Sequence, residues 1–235
     1  TGKQELVLTA QPPGTQVTVR VSVAPTLRTV TPTRLFDTRA GESPSAARTV
    51  PKARIGGTTE LTVKATDIAG VVPATGVGAV SLNVTVVNPS VDGFLTVYDC
   101  GTRNLVASLN YSAGEIVANA VIAPVSAAGN ICVFSSSSTD VLADLTGWFA
   151  TGSSFTAITP NRVLDTRAGE SPGALVTVPK AKIGGTTELS VKIAGLATST
   201  TPPVVLVPAT GVGAVSLKLT VVQPAVAGFV TVYDC

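Results

Sequence analysis

Apolar and polar residues alternate along much of this chain, a pattern that predicts β-strands rather than helices. The longest alternating run covers residues 79–87, and a closely similar run covers residues 214–222. The apolar positions of the two runs are Val80, Leu82, Val84 and Val86, and Val215, Leu217, Leu219 and Val221. These positions stay apolar while the outward Asn83 is replaced by Lys218. The pattern therefore predicts a packing face rather than a binding face.

Further short runs rich in Val, Ile, Leu and Thr lie between Gly, Pro and Asn turns. Strands are predicted at residues 4–9, 16–23, 60–64, 93–98, 105–109, 118–125, 131–134, 141–149 and 228–233. No stretch longer than ten residues has helical periodicity free of Gly, Pro and β-branched residues, so we expect almost no helix. Many short strands predict an all-β fold, a sandwich or a barrel. We expect tandem β-sandwich modules of the jelly-roll-like type.

One stretch occurs twice. The sequence TPTRLFDTRAGESP at residues 31–44 returns 128 residues later as TPNRVLDTRAGESP at residues 159–172. The residues that follow each copy are also similar, which indicates repeated modules. We predict a complete sandwich over residues 27–150 and a second repeat over residues 151–235 that is incomplete at its C-terminal end.

Residues 1–26 precede the first copy and hold two alternating runs joined by a Pro-Pro-Gly linker, which predicts a hairpin. They precede the first motif by about the distance at which residues 130–149 precede the second motif. We interpret them as the closing hairpin of a preceding or diverged repeat.

Composition narrows the functional classes. Only 13% of the residues are charged, against roughly 25% in an average soluble protein. The net charge is +2 and the basic residues are scattered, so we predict no nucleic-acid partner. The sequence contains no run of 18 apolar residues free of Thr, Pro and charge, so no membrane-spanning helix is predicted. The chain starts Thr-Gly-Lys and contains no Met, which suggests a processed or excised piece.

Three cysteines are present. Cys235 ends a Val-Tyr-Asp-Cys sequence that repeats the one ending at Cys100, so the expected disulfide joins Cys100 to Cys132. Cys235 is then left for another partner. A disulfide implies an oxidising compartment. Three buried free thiols are the alternative.

Five motifs occur in order: RLFDTR at residues 34–39, LNVTV at 82–86, GFLTVYDCG at 93–101, SLNY at 108–111 and DLTGWF at 144–149. Together they resemble the repeat module of large secreted and surface proteins of actinobacteria and their relatives. The resemblance covers about residues 27–235 and implies an exported, cell-surface β-repeat. It identifies a kind of module rather than an activity.

Each repeated stretch carries a charged trio, Arg34, Asp37 and Arg39, and Arg162, Asp165 and Arg167. The structural interpretation is an arginine–carboxylate clamp that ties an extended segment to the sheet. The functional interpretation is a site for an anionic glycan or a carboxylate. We favour the clamp because the two copies keep the spacing without forming a larger cluster.

No catalytic or metal site is predicted. The chain has no histidine, which excludes Ser-His-Asp and Cys-His arrangements and histidine metal sites. A pair of carboxylates that meet in space, such as Asp99 with Glu115 or Asp144, is the alternative that would allow glycosidase chemistry. Trp148 and Phe149 are adjacent and either close the core or stack on a sugar ring. No cofactor is expected.

The expected function is therefore a non-catalytic, extracellular structural or adhesive protein that forms a cell-surface stalk or filament. The expected partners are neighbouring repeats or further copies, joined head to tail by strands from residues 1–26 added to residues 151–235. The alternative is a module that binds cell-wall glycan and belongs to a secreted hydrolase.

Overall fold

The computed structural model describes residues 27–57, 59–103, 106–184 and 188–225, together with Val230 and Val232. These residues contain strands and turns and no helix, which confirms the predicted all-β class. They accordingly include no helix that could cross a membrane. The chain divides into two compact units, unit 1 (Thr1–Thr159) and unit 2 (Pro160–Cys235). The hairpin predicted for residues 1–26 lies outside the described residues.

The described part of unit 1 contains eight strands: β1 Arg28–Asp37, β2 Glu60–Lys64, β3 Val77–Val87, β4 Gly93–Tyr98, β5 Leu109–Tyr111, β6 Ile116–Pro124, β7 Asn130–Ser135 and β8 Asp140–Ala150. They form two four-stranded antiparallel sheets, in the orders β1-β8-β3-β6 and β2-β7-β4-β5. Each ladder joins one strand of β1–β4 to one strand of β5–β8. Among the eight described strands, therefore, none of β1–β4 pairs with another of β1–β4.

Strand β3 shows why the alternating pattern matters. It lies between β8 and β6, and its inward Val80, Leu82, Val84 and Val86 are at most 1% exposed. Inward residues of the other sheet, including Val63, Val97 and Val133, belong to the same apolar core. Burying each such side chain contributes roughly 1.5–3 kcal/mol. The face predicted on residues 79–87 is confirmed.

A bulge in β8 changes which residues face the core. Leu82 pairs with Leu145 and Ser81 pairs with Gly147, so Thr146 is the extra residue. The Thr146 hydroxyl donates to the Ser81 carbonyl over 3.1 Å. Beyond the bulge the alternation is inverted. Trp148 pairs with Val80 and packs against the core, while the ring of Phe149 contacts Phe155 instead.

Two strands differ from the sequence expectation. The segment that leads into the first motif and includes its beginning, residues 28–37, is an extended strand, β1, that pairs with β8 over most of its length. The strand predicted at residues 105–109 begins only at Leu109 and runs to Tyr111. Within it Leu109 and Tyr111 are buried and Asn110 is exposed, so the alternation starts where the pairing with β4 starts.

Unit 2 contains no strand among its described residues. Residues 212–222 repeat the sequence of β3, yet their apolar side chains are exposed: Val215 by 42%, Leu217 by 50%, Leu219 by 51% and Val221 by 57%. The apolar face predicted on residues 214–222 is therefore not buried in the described part of unit 2, and the incomplete second repeat over residues 151–235 stays a prediction. In unit 1 the corresponding face of β3 packs against the second sheet, and β3 is paired on both sides by β8 and β6.

Candidate functional site

The charged trio of the first motif lies at the end of β1 and is centred on the Asp37 carboxylate. Asp37 is fully buried, and its two oxygens accept hydrogen bonds from three residues. Arg39 donates from its backbone N–H over 3.0 Å, from Nε over 3.1 Å and from Nη2 over 2.7 Å. Arg34 Nη1 donates over 2.9 Å and Ser43 Oγ over 2.8 Å. Charge-assisted bonds of this kind are among the stronger ones in proteins.

The loop after Asp37 is folded by local contacts. Gly41 has a φ of 75°, a left-handed conformation that glycine adopts at little cost. Lys52 Nζ donates to the carbonyls of Asp37 over 2.8 Å and Glu42 over 2.9 Å. These bonds close the loop over the carboxylate, which stays inaccessible to solvent.

Arg34 connects this loop to the opposite half of the module. Its Nε donates to Asp144 Oδ1 over 2.5 Å, and Asp144 belongs to β8, the strand paired with β1. Sequence reasoning did not find this contact and considered Asp144 only as half of a catalytic carboxylate pair. The available signal was that Asp144 opens the DLTGWF motif. Engaged with Arg34, Asp144 acts as an anchor for β1.

The second motif repeats the same arrangement in unit 2. Asp165 accepts from the Arg167 backbone N–H over 3.0 Å, from its Nε over 3.0 Å and from its Nη2 over 2.7 Å. Ser171 Oγ donates over 2.9 Å and Lys180 Nζ binds the Asp165 carbonyl over 2.8 Å. Arg162 Nη1 lies farther from Asp165, at 3.4 Å. The loop therefore folds from local sequence alone, without a paired β-strand.

The two carboxyl groups have lowered pKa values. Burial of Asp37 by itself would raise its pKa, but the hydrogen bonds from Arg39 and Ser43 and the Arg39 charge outweigh burial and hold the pKa well below its usual range. For Asp165 the hydrogen bond from Arg167 is the largest cause, and the pKa again falls well below its usual range. Both groups are therefore carboxylates at any ordinary pH.

This geometry supports the clamp interpretation of the trio. A fully buried carboxylate whose oxygens already accept five hydrogen bonds has no lone pair directed at solvent for a substrate or a metal ion. Within the described residues, no group of three or more Cys, Asp or Glu side chains is placed to hold a metal ion.

The lowered pKa of Asp37 leads to a prediction at acid pH. Because the folded pKa lies below the ordinary value of 3.8, the stabilisation from this carboxylate is present above that pH and is lost as the pH falls toward the folded pKa. We expect the free energy of unfolding of unit 1 to decline from about pH 4 downward. Urea unfolding followed by the fluorescence of Trp148, the only tryptophan, measures it. Asp37→Asn should flatten this decline, and an unchanged slope would contradict the assignment.

A disulfide joins Cys100 to Cys132, residues 32 apart in sequence, with a Cα–Cα distance of 4.9 Å. Cys132 lies in β7 opposite Tyr98 of β4, so the bridge reinforces a ladder already present. Around it, Phe94 and Phe134 pack on the outer face of the sheet, with the Arg103 guanidinium 3.5 Å above the Phe134 ring. Cys235 lies outside the described residues.

Removing this disulfide should weaken unit 1. A closed loop of this length predicts that the Cys100→Ala, Cys132→Ala double variant loses about 3–4 kcal/mol in free energy of unfolding. Urea unfolding of the oxidised protein and of the variant measures the difference. Cys235→Ala is the matched control and should leave the Trp148 transition unchanged. Equal midpoints for the double variant and the control would show that the bridge adds nothing.

The side chains of Trp148 and Phe149 lie on opposite faces of β8. Phe149 is 5% exposed, and its ring centroid lies 4.4 Å from that of Phe155. Trp148 is half-buried on the opposite face, with the Arg28 guanidinium 5.0 Å above its ring. The two rings therefore do not form one stacking surface. Trp148 and Arg28 instead line an open groove of about 360 Å³, together with Thr29, Thr31 and Thr33.

Comparisons of this chain with protein-family models, with curated proteins and with solved structures give no match.

Proposed function

We propose that this protein is a non-catalytic, extracellular structural or adhesive repeat protein that forms a stalk or filament on the cell surface. The supporting observation is the pattern of strand pairing in unit 1 and its absence from the described part of unit 2. In unit 1 every ladder joins the first half of the module to the second half. Unit 2 carries counterparts of the first half with the apolar face exposed. Such a unit is suited to accept strands from another polypeptide segment, and this joins modules end to end.

Other features of unit 1 agree with a durable role outside the cell. The disulfide is favoured in an oxidising compartment. Arg34 of the trio links Asp37 to Asp144 of β8, which supports a role for these charges in stability rather than in ligand recognition.

The proposal is tested by the location of the protein on the cell and by the shape of its particles. Gold-labelled antibodies applied to intact cells that make the protein should bind the cell exterior, and electron microscopy of the purified chain should show elongated particles. Label found only after the cells are opened would contradict the proposal.

A second function, binding of cell-wall glycan as a module of a secreted hydrolase, is favoured by the groove at Trp148. A half-buried indole with an arginine guanidinium over its ring and threonine hydroxyls in the same groove offers the polar and aromatic groups that a sugar site uses. Titration with soluble peptidoglycan and arabinogalactan fragments, read by fluorescence of the single tryptophan, tests it. Arg28→Ala should weaken any such binding, while Val91→Ala, at an exposed position away from the groove, should not.

A further inference from the structure

The two sheets of unit 1 have four edge strands, β1, β2, β5 and β6. Three of these carry features that discourage pairing with a further strand. Strand β1 contains Pro32 and charged residues, and the N–H groups of residues 47 and 48 already bond to two of its carbonyls. Strand β2 has five residues, two of them charged, and β5 has only three residues. Strand β6 differs, because its nine residues include no charge and only the last is proline.

The free edge of β6 presents backbone groups that have no hydrogen-bond partner in the described part of the chain. The ladder to β3 runs without a register shift, and just beyond β6 the Val125 N–H donates to the Gly78 carbonyl. Residues of an antiparallel strand bond alternately to one neighbour and to the other, so the odd-numbered residues of β6 bond to β3. The residues whose N–H and C=O groups point to the free edge are therefore Ile116, Ala118, Ala120 and Ile122.

The sequence of β6 is palindromic. Residues 116–122 read Ile-Val-Ala-Asn-Ala-Val-Ile, the same in both directions, with Asn119 at the centre. When two copies of such a strand pair antiparallel about a two-fold axis at the central residue, every residue lies opposite an identical one. Ala118 then faces the partner's Ala120. These residues carry the free N–H and C=O groups, and each such pair exchanges two backbone hydrogen bonds.

The side chains of β6 suit this pairing. On the outer face Ile116 is 68% exposed and Ile122 is 37% exposed, so contact between Ile116 and the partner's Ile122 covers apolar surface that is open in a single copy. On the inner face Val117 is partly buried against the core and would lie beside the partner's Val121. The apolar core then continues across the junction between the two copies, and no charge of β6 is buried there.

We propose that two copies of this chain associate through β6, antiparallel about a two-fold axis at Asn119, so that the two sheets that contain β6 become one continuous sheet. The partner is a second copy because the palindrome makes the strand complementary to itself and to no other described strand. The association is lateral, between one unit 1 and another. It goes beyond the stalk or filament proposed above and does not depend on it.

Cysteine cross-linking of the full-length chain tests the register. In the proposed pairing Asn119 lies opposite the partner's Asn119 at a position without hydrogen bonds, where Cα atoms are about 4.5 Å apart, within the reach of a disulfide. Asn119→Cys, made together with Cys235→Ala, should therefore form a disulfide-linked dimer under mild oxidation. Val117→Cys in the same background is the matched control. It should stay monomeric on a non-reducing gel, because its counterpart lies about 13 Å away along the strand.

Size-exclusion chromatography with light scattering tests the association itself and should show a concentration-dependent dimer of the unaltered chain. Ala120→Pro removes a free-edge N–H from each copy and leaves the ladder to β3 intact, so the dissociation constant should rise at least about tenfold. Circular dichroism should show that this variant is folded. Ala120→Val, which keeps the N–H, should dimerise like the unaltered chain.

Three results would overturn the proposed association. The first is an unaltered chain that is monomeric at every concentration. The second is equal cross-linking of the Asn119→Cys and Val117→Cys chains, which would show chance collision rather than one register. The third is a dimer that Ala120→Pro leaves unchanged, which would place the contact on another surface.

Discussion

Replacing Asp37 by alanine is expected to destabilise unit 1 by about 3–5 kcal/mol, the range for removing one partner of a buried ion pair. Asp37 is fully buried, while the side chains of Arg34 and Arg39 are about 30% exposed. Their guanidinium groups would lose a shared acceptor, and Ser43 would lose its acceptor as well. The adjoining Phe36 is fully buried in the core, so loosening of this end of β1 also weakens apolar packing.

Urea unfolding monitored by Trp148 fluorescence measures this loss, because the only tryptophan reports on unit 1. The matched control is Asp165→Ala, which removes the same carboxylate from the second copy of the motif. Unit 2 has no described strand for that motif to anchor, so the Trp148 transition should not move. A loss below about 1 kcal/mol for Asp37→Ala, the scale of a surface ion pair, would show that the clamp is not structural.

The sequence predicted part of this site because part of it is local. Arg34, Asp37 and Arg39 lie within six residues and recur with identical spacing, which indicated a clamp. The anchor at Asp144 was missed because it lies 110 residues away, and a local pattern holds no information about such a contact. Ser43 and Lys52 were also missed, although both recur at the corresponding positions of the second copy as Ser171 and Lys180.

The fold was predicted best where alternation is longest. Residues 79–87 and 141–149 gave β3 and most of β8 because burial on one face produces period-two patterning. Strand β1 was not predicted to pair with β8. Its first seven residues are at least partly exposed and include Pro32, which is tolerated because β1 lies at a sheet edge. The bulge at Thr146 was not predicted either, since it depends on pairing with β3.

The repeat itself conveys less about structure than its sequence similarity suggests. The same pattern is buried in unit 1 and exposed in unit 2, because burial of a strand's face depends on the sheet that packs against it and not on the strand alone. The loop around Asp165 nevertheless keeps the conformation of its counterpart, with Gly169 at a φ of 73° against 75° for Gly41. A loop held by hydrogen bonds between near neighbours in sequence thus forms without the second half of the module, whereas the sheets need the strands of both halves.

This difference predicts unequal effects for one substitution made at two equivalent positions. Leu82→Ala is expected to lower the free energy of unfolding of unit 1 by about 3–5 kcal/mol, because Leu82 is 1% exposed and its removal leaves a cavity in the core. Leu217→Ala, at the counterpart position, should change the unfolding of the dilute chain by less than about 1 kcal/mol, because half of that side chain already contacts solvent.

The two variants are compared by urea unfolding at a concentration low enough to keep the chain monomeric, with circular dichroism added to Trp148 fluorescence so that both units contribute to the signal. Comparable losses for the two variants in the dilute chain would mean that unit 2 buries its apolar face by itself. The first half of the module would then need no partner strands, and the argument from strand pairing would fail for the proposed filament.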